Sequence, residues 1–236
     1  MQYATLNAPS ANAPDLGAAP LADECALAIS YNGLNQAVMM VTPLDLEDFV
    51  IGFSLSGGLI ERIDDLRDLR LRGDGSAQHA EVQVSPRAFW HIKQQRRQLA
   101  GHSGCGLCGV QALEQALPQL APLSPIDLPP EGHFHDLRQR IANAQLLARD
   151  SGALHAALYV DGNGEIALCR EDIGRHNALD KLIGALTLQR RTPSEGFVVV
   201  TSRCSLELVQ KVQRAGIPAL VSLSSPTGLA AQWAQR

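Results

Sequence analysis

In the first half of the chain, the pattern of hydrophobic and polar positions is strand-like in some short segments and helical in others. The stretches ECALAISYNG and AEVQVS predict strands. TPLDLEDFVIGFSLSGG predicts a helix with Thr42 as its N-cap, Pro43 in the first turn and Asp45 completing a capping box. In SPRAFWHIKQQRRQLAG, Ser85 and Pro86 are start signals for a second helix. The first half is therefore predicted to be α+β.

The second half follows a more regular pattern. A helical period in HDLRQRIANAQLLARDSG precedes ALHAALYVDGNGEIALCRED, which predicts two strands joined by an Asp-Gly-Asn-Gly turn. There follow a helix (GRHNALDKLIGALTL), a strand (FVVVTS), a helix (SLELVQKVQRAG), a strand (ALVSLS) and a helix beginning SPTGLAAQ. Strands that alternate with helices predict right-handed crossovers and a largely parallel, buried sheet in an α/β domain.

A proline cluster separates these two patterns. LPQLAPLSPIDLPPEG, residues 117–132, contains too many prolines for a helix and too little alternation for a strand. We therefore predict a flexible N-terminus at 1–22, an α+β domain at 23–116, a linker at 117–132 and an α/β domain at 133–236. Few contacts are expected to cross the linker.

Composition narrows the classes of function. The 236 residues are 45% hydrophobic, 4% aromatic and carry a net charge of −4, so no basic or stacking surface for nucleic acid is expected. The first residues lack a signal-peptide pattern, and no apolar run has the length of a membrane span. A cytoplasmic location is predicted. In that reducing compartment, the five cysteines are expected to be catalytic, metal-binding or simply buried.

The strongest local motif is HSGCGLCGV, which places Cys105 and Cys108 in a glycine loop before the helical pattern VQALEQAL. A zinc knuckle would need two further ligands, and His79, His91 and His102 do not have the spacing of one. The glycines leave both sulfurs accessible, and the helix dipole can lower a free-cysteine pKa from about 8.5 towards neutrality. Thiol chemistry is therefore favoured over a metal. The motif alone does not distinguish disulfide exchange from sulfur transfer.

Polar junctions follow three predicted strands: REDIGRHN, TSRCS and LSSPTG. In α/β sheets, ligands bind beyond the carboxyl ends of strands, where helix N-termini attract anions. Arginines there can clamp a phosphate, serine hydroxyls can donate to it, and Asp172 could accept a hydrogen bond from a ribose or a guanine edge. Since no P-loop is present, a bound nucleotide-like ligand is predicted rather than hydrolysis. The candidate set is Asp172, Gly174, Arg175, His176, Asn177, Lys181, Ser202, Arg203 and Ser224.

The charged helix start, His155 and the remaining cysteines also have simpler structural interpretations. The charged residues that follow Gly174 could be a solvated helix start. His155 could be a core histidine bonded to backbone. Cys25, Cys169 and Cys204 are isolated in the sequence and are predicted to be buried small side chains.

Four segments together resemble the FdhD family of sulfur carrier proteins that formate dehydrogenase activity requires. They are VMMVTPLDLEDFVIGFSLSGGLI, GCGLCGV, EDIGRHNALDKLIG and TSRCSLELVQKVQRAGIP, and the resemblance runs from about residue 24 to the end. It implies that the protein accepts persulfide sulfur from a cysteine desulfurase. It also implies that this sulfur passes to the molybdenum bis(molybdopterin guanine dinucleotide) cofactor before the cofactor enters apo-formate dehydrogenase.

The resemblance assigns roles to residues. Cys105 matches the usual persulfide carrier, and Cys108 would release the sulfur or share the carrier role. The C-terminal domain would have a three-layer cytidine-deaminase-like fold without deaminase activity. His155 matches a family position near the ligand. The polar strand ends would seat the guanine dinucleotide arms, with the molybdenum cofactor as bound substrate and no permanently bound metal. Family members continue past the position of Arg236 with a further strand and a cofactor-contacting segment.

Two further expectations concern the oligomeric state and an alternative function. A site that collects two guanosine arms would suit a homodimer. The alternative function is a zinc-stabilised binding module that escorts the cofactor without sulfur chemistry.

Overall fold

Two four-stranded mixed sheets and the helices packed on them make up the fold of the computed structural model, which describes residues 21–100, 117 and 120–235. The strands are β1 (Cys25–Tyr31), β2 (Leu34–Val41), β3 (Leu66–Asp74), β4 (Ala77–Val84), β5 (His155–Asp161), β6 (Ile166–Asp172), β7 (Gly196–Val200) and β8 (Leu220–Ser222). The helices are α1 (Leu46–Ser56), α2 (Pro86–Ala100), α3 (Leu137–Ala144), α4 (Ala148–Ser151), α5 (Arg175–Leu188), α6 (Leu206–Arg214) and α7 (Gly228–Ala234). Short 3-10 turns occupy Ile63–Asp65, Glu131–Phe134 and Pro193–Glu195.

The amino-terminal sheet has the strand order β2-β1-β4-β3, in which β1 and β4 are parallel and the outer pairs are antiparallel. Alternate residues of β1 point into one apolar cluster with α1 and α2, because successive side chains of a strand face opposite sides. The strands predicted from ECALAISYNG and AEVQVS are thereby confirmed as β1 and β4. β2 and β3 were not predicted from the sequence.

The two helices of this half begin in different ways. Ser85 accepts a hydrogen bond from the Ala88 amide at 3.2 Å, so the predicted start of α2 is confirmed. The predicted start of α1 at Thr42 is wrong, because α1 begins at Leu46 after Asp45, whose φ of 53° is left-handed. The polar groups of Thr42 bond to the second half of the chain instead.

The second sheet has the order β6-β5-β7-β8. β5 is antiparallel to both β6 and β7, and only β7 and β8 are parallel. The prediction of a largely parallel sheet is therefore wrong. The predicted β5–β6 hairpin is confirmed, and β5 lies between β6 and β7. The connection from β6 through α5 to β7 therefore crosses over β5, which is antiparallel to both.

Helices cover both faces of this second sheet. One set of alternating strand residues packs with α5, α6 and α7 and includes Ala157, Tyr159, Val198 and Val200. The opposite set packs with α3 and includes Leu158, Val160 and Val199. The segment HDLRQRIANAQLLARDSG, predicted as one helix, is divided after Ala144 into α3 and α4. The second half is thus a three-layer α/β arrangement, while its relation to the cytidine-deaminase fold stays a prediction.

The α1 and α5 helices pack against each other across the two halves of the chain. A Cβ added at Gly52 would overlap the Asp180 carbonyl oxygen, and one added at Gly184 would overlap the Asp48 carbonyl oxygen. Backbone therefore meets backbone where the helices cross. The expectation that few contacts cross the linker is wrong for this reason, although the domain boundary itself stays a prediction.

The described part of the linker contains no helix or strand before residue 131. With α6, β8 and α7 it lines a mainly apolar cleft of about 940 Å³. Across residues 21–100 and 120–235, no helix is long and apolar enough to cross a membrane.

Candidate functional site

The register of the second sheet brings the predicted site residues to one edge. His155, the first residue of β5, pairs with Asp172, the last residue of β6. Val200 at the end of β7 pairs with Ser222 at the end of β8. Since β5 is antiparallel to its neighbours, its start lies at the same edge as their carboxyl ends. The polar junctions that follow β6, β7 and β8 are therefore neighbours in space.

Cationic side chains are accessible at this edge. Arg175 is the first residue of α5 and is half-buried, whereas Arg203, just before α6, is exposed. His176 is half-buried, and its Nε2 lies 3.0 Å from Oε2 of Glu207 in the first turn of α6. This contact connects the starts of the two helices. Glu207 was not among the predicted residues, because carboxylates are common in the first turn of a helix and the sequence does not indicate which residue contacts them.

The electrostatic environment affects His155 and Glu207 differently. Burial and the neighbouring Arg175 lower the pKa of His155, and Asp172 opposes the shift. His155 is therefore neutral at pH 7, with one ring nitrogen able to donate a hydrogen bond and the other able to accept one. The close approach of the His176 ring lowers the pKa of Glu207, which stays ionised at pH 7.

The hydroxyl groups at the edge differ in their availability. Ser202 is buried, and its hydroxyl donates to the Arg203 carbonyl at 3.1 Å. Ser224 is exposed. The Ser205 hydroxyl, at the N-cap of α6, is buried and has no hydrogen-bond partner within the part of the chain that the structure describes. An unpaired buried hydroxyl costs free energy, which a ligand oxygen or water would recover. Ser205 was not among the predicted residues.

Asp172 and Lys181 lie beneath this edge, with both side chains 0% exposed and 2.8 Å apart. Asp172 accepts bonds from the Thr42 and Gly174 amides, the Asn177 side chain and Lys181, so each carboxylate oxygen has two partners. The Lys181 ammonium also donates to the carbonyl oxygens of Thr42 and Glu171. An ammonium has three donors, and all three are used. The predicted direct contact of either side chain with a ligand does not fit this geometry.

Asn177 is buried in the same layer, and the half-buried Gly174 lies against its side chain. The Asn177 amide donates to the Met40 carbonyl and to Asp172, each at 2.9 Å. A Cβ at position 174 would approach the Asn177 nitrogen to 2.7 Å, so any larger residue there would push this amide out of its two hydrogen bonds. Both residues support the edge from below, whereas His155, Arg175, His176, Arg203 and Ser224 remain open to a ligand.

Cysteine chemistry divides between two parts of the chain. Cys105 and Cys108 lie outside the described residues. Cys25 and Cys204 are buried, and burial raises the pKa of both thiols. Burial also raises the pKa of Cys169, to about 12. The thiolate is the nucleophilic form of cysteine, so these raised pKa values disfavour reaction of all three thiols near pH 7.

The histidines considered as zinc ligands have other neighbours. His79 lies on β4 with its Nε2 3.1 Å from the Ser30 hydroxyl, and His91 lies on α2 beside Gln95 at 2.9 Å. His102 lies outside the described residues. Within the described ranges, no group of three or more histidine, cysteine or acidic residues could hold a metal ion.

Comparison with known proteins identifies the relatives of this chain. A model of the FdhD/NarQ family matches residues 22–236. A sulfur carrier protein FdhD from Bordetella bronchiseptica is 43% identical over 218 residues, covering 92% of this chain and 78% of the relative. A sulfur carrier protein FdhD from Burkholderia mallei is 45% identical over 225 residues, covering 90% of this chain and 80% of the relative.

A solved structure agrees with these sequence matches. It is described as a formate dehydrogenase accessory protein from Desulfotalea psychrophila and is 26% identical to this chain. The two structures superpose with a TM-score of 0.68 over 92% of this chain and 80% of the other. The mixed α/β fold with two mixed sheets is therefore shared, and the resemblance found in the sequence motifs is confirmed. The chain belongs to the FdhD/NarQ family.

Proposed function

We propose that this protein is a sulfur carrier that takes persulfide sulfur from a cysteine desulfurase and delivers it to the molybdenum bis(molybdopterin guanine dinucleotide) cofactor of formate dehydrogenase. Family membership and the names of the relatives support the general role. The C-x-x-C pair at Cys105 and Cys108 supplies the only motif in the sequence with two closely spaced thiols. The low reactivity expected of Cys25, Cys169 and Cys204 leaves that pair as the carrier.

The proposed chemistry balances in two steps. The Cys105 thiolate attacks the terminal sulfur of the desulfurase persulfide, which forms Cys105-S-SH and releases the desulfurase thiolate. The Cys108 thiolate then attacks the inner sulfur, which forms a Cys105–Cys108 disulfide and releases the outer sulfur as hydrosulfide for the molybdenum. The sulfur gains two electrons and the cysteine pair loses two. A cellular dithiol is needed to reduce the pair for the next cycle.

The sheet edge provides a candidate seat for the guanine dinucleotide arms. This proposal rests on the N-termini of α5 and α6, where Arg175, Arg203 and the Ser205 hydroxyl lie; among the described residues, that hydroxyl has no hydrogen-bond partner. Arginine guanidinium groups and helix N-termini both stabilise phosphate oxygens. Neutral His155 can donate to a sugar or a base and accept from it without adding charge.

Persulfide loading tests the proposed function. We expect incubation with a cysteine desulfurase and cysteine to add one reducible sulfur atom, which peptide mass spectrometry locates on Cys105. Cys105→Ser should not load, and Cys108→Ser should load but release hydrosulfide more slowly, since the resolving thiol is absent. Cys204→Ser, which removes a buried thiol, is the matched control and should load as the unmodified protein does.

The competing function makes the opposite prediction. A zinc-stabilised escort would contain stoichiometric metal, would lose it in either Cys105→Ser or Cys108→Ser, and would never carry persulfide. That pattern would overturn the proposal. Persulfide on Cys108 alone would preserve sulfur transfer and exchange the roles of the two cysteines.

A further inference from the structure

Thr42 bonds through its amide, hydroxyl and carbonyl groups to the end of β6, to the residue that follows it and to the second turn of α5. Its amide donates to Asp172 at 2.9 Å, its hydroxyl accepts from the Ile173 amide at 3.2 Å, and its carbonyl accepts from Lys181 at 2.9 Å. Thr42 is only 4% exposed. These bonds join residues about 130 positions apart in the chain, so they form only when the two halves are docked.

The partners of Thr42 are the residues that fix the helix start. Asp172 also accepts from the Gly174 amide at 2.8 Å, and Gly174 is the N-cap of α5. The Asn177 side chain joins Asp172 to the Met40 carbonyl. The backbone that immediately precedes Arg175 is thus held from below by residues 40–42 of the first half.

We propose that Thr42, Asp172 and Lys181 are positioning residues, which transmit the docking of the amino-terminal half to the anion-binding end of α5. This inference rests on the proposed function, because it assumes that the sheet edge binds a guanine nucleotide. It assigns Asp172 and Lys181 a role different from ligand contact. Ligand affinity then depends on how residues 40–42 are seated, and by linkage a bound nucleotide stabilises the docked arrangement of the two halves.

The charge of Lys181 is part of this role. Asp172 lies two residues before the N-cap of α5, close to where a phosphate would bind. Lys181 neutralises that carboxylate from the buried side at 2.8 Å. Without the ammonium, a buried negative charge would oppose an anionic ligand, or the carboxyl would take up a proton and weaken its bonds to the helix start. Replacement of both Asp172 and Lys181 by neutral side chains should therefore weaken nucleotide binding less than replacement of Lys181 alone.

The chain offers a matched control in a second buried cluster. Ser56 donates to Asp180 at 2.5 Å and accepts from Lys211 at 3.1 Å. This hydroxyl also joins the two halves through buried charges, but its partners Asp180 and Lys211 make no bond to Gly174 or to the backbone that precedes Arg175. Ser56→Ala should destabilise the fold and leave the helix start in place.

The test measures the dissociation constant of GDP by calorimetry together with the thermal midpoint of each full-length variant. We expect Thr42→Val to weaken GDP binding about threefold to tenfold and Lys181→Met about tenfold or more, as for residues that couple through one network. Thr42→Ser should bind within about twofold of the unmodified protein, because it keeps the hydroxyl. Asp172→Asn combined with Lys181→Met should recover part of the affinity.

Two outcomes overturn the inference, and they are distinguishable. If Arg175→Ala weakens GDP binding but Thr42→Val and Lys181→Met weaken it no more than Ser56→Ala at an equal loss of thermal midpoint, the three residues are merely structural. If the unmodified protein does not bind GDP, or Arg175→Ala binds it equally well, the proposed site is wrong and this inference falls with it.

Discussion

His155 illustrates how one side chain at the sheet edge is affected by its neighbours. It is half-buried at the first position of β5, beside Arg175 and opposite Asp172. Burial and the arginine lower its pKa, so the imidazole stays neutral below its ordinary titration range. The unfolded chain binds the proton more readily. The contribution of His155 to the free energy of unfolding is therefore present above about pH 6.5 and is lost as the pH falls through the folded-state pKa.

The pKa of His155 can be tested by NMR titration of the imidazole ring. In the unmodified protein we expect a pKa below the ordinary value of about 6.5. Arg175→Ala should raise it, because a neighbouring positive charge is removed, whereas Arg67→Ala, at an exposed site on β3, should leave it unchanged. An unaltered pKa in Arg175→Ala would mean that the arginine points away from the ring in solution.

Residue-level chemistry was only partly predictable from the sequence. The polar junctions located Arg175, His176 and Arg203 at one edge, because the carboxyl ends of strands gather there whether or not all the strands are parallel. The burial of Asp172 and Lys181 was not predictable, since it depends on Thr42, which is remote in the sequence. A local pattern gives the residue types at a strand end but not what covers them.

Secondary structure was predicted where the apolar period was strong. β1, β4, the β5–β6 hairpin and α5 follow directly from alternation or helical spacing. β3 was missed because LRDLRLRGD mixes charged residues into a largely exposed strand, and β2 because only Val41 is fully buried. The start of α1 was misplaced because the hydroxyl that looked like a cap bonds to Ile173 instead.

The crossing of α1 and α5 predicts a strong size limit at two glycines. Gly52→Ala and Gly184→Ala would each press a methyl group into backbone of the opposite helix, so the helices would have to separate. We expect each variant to lose about 3 kcal/mol of unfolding free energy, at the upper end for overpacked cores. Urea denaturation would measure the loss.

Gly132→Ala is the control for this prediction. A Cβ at position 132 meets no atom within 4 Å, so we expect a change of at most about 0.5 kcal/mol. If Gly52→Ala and Gly184→Ala lost as little unfolding free energy as Gly132→Ala, α1 and α5 would not be in close contact in solution.

At the scale of the whole molecule, three polar clusters of the described residues join the two halves of the chain. Arg170 binds Asp48 at 2.6 Å, Thr42 binds Asp172 and Lys181, and Ser56 binds Asp180 and Lys211. Most of these groups are buried, and removal of one partner from a buried ion pair typically costs about 3–5 kcal/mol. The proline-rich linker suggested that the two halves are independent. That expectation failed because the composition of a linker carries no information about how the segments on either side of it pack together.

Cleavage of the linker tests how far the halves depend on each other. If α1 and α5 remain packed as described, a protein nicked between residues 120 and 130 should elute as one species in gel filtration and unfold in a single transition. Lys211→Met leaves Asp180 buried without its 2.9 Å partner, so the nicked variant should separate at a lower urea concentration than the nicked unmodified protein. Arg67→Ala, which removes an exposed charge outside these clusters, should behave as the unmodified protein does. Two folded fragments that separate without denaturant would restore the picture of independent domains. They would also remove the physical basis for coupling the amino-terminal half to the start of α5, because the bonds of Thr42 require both halves to be docked.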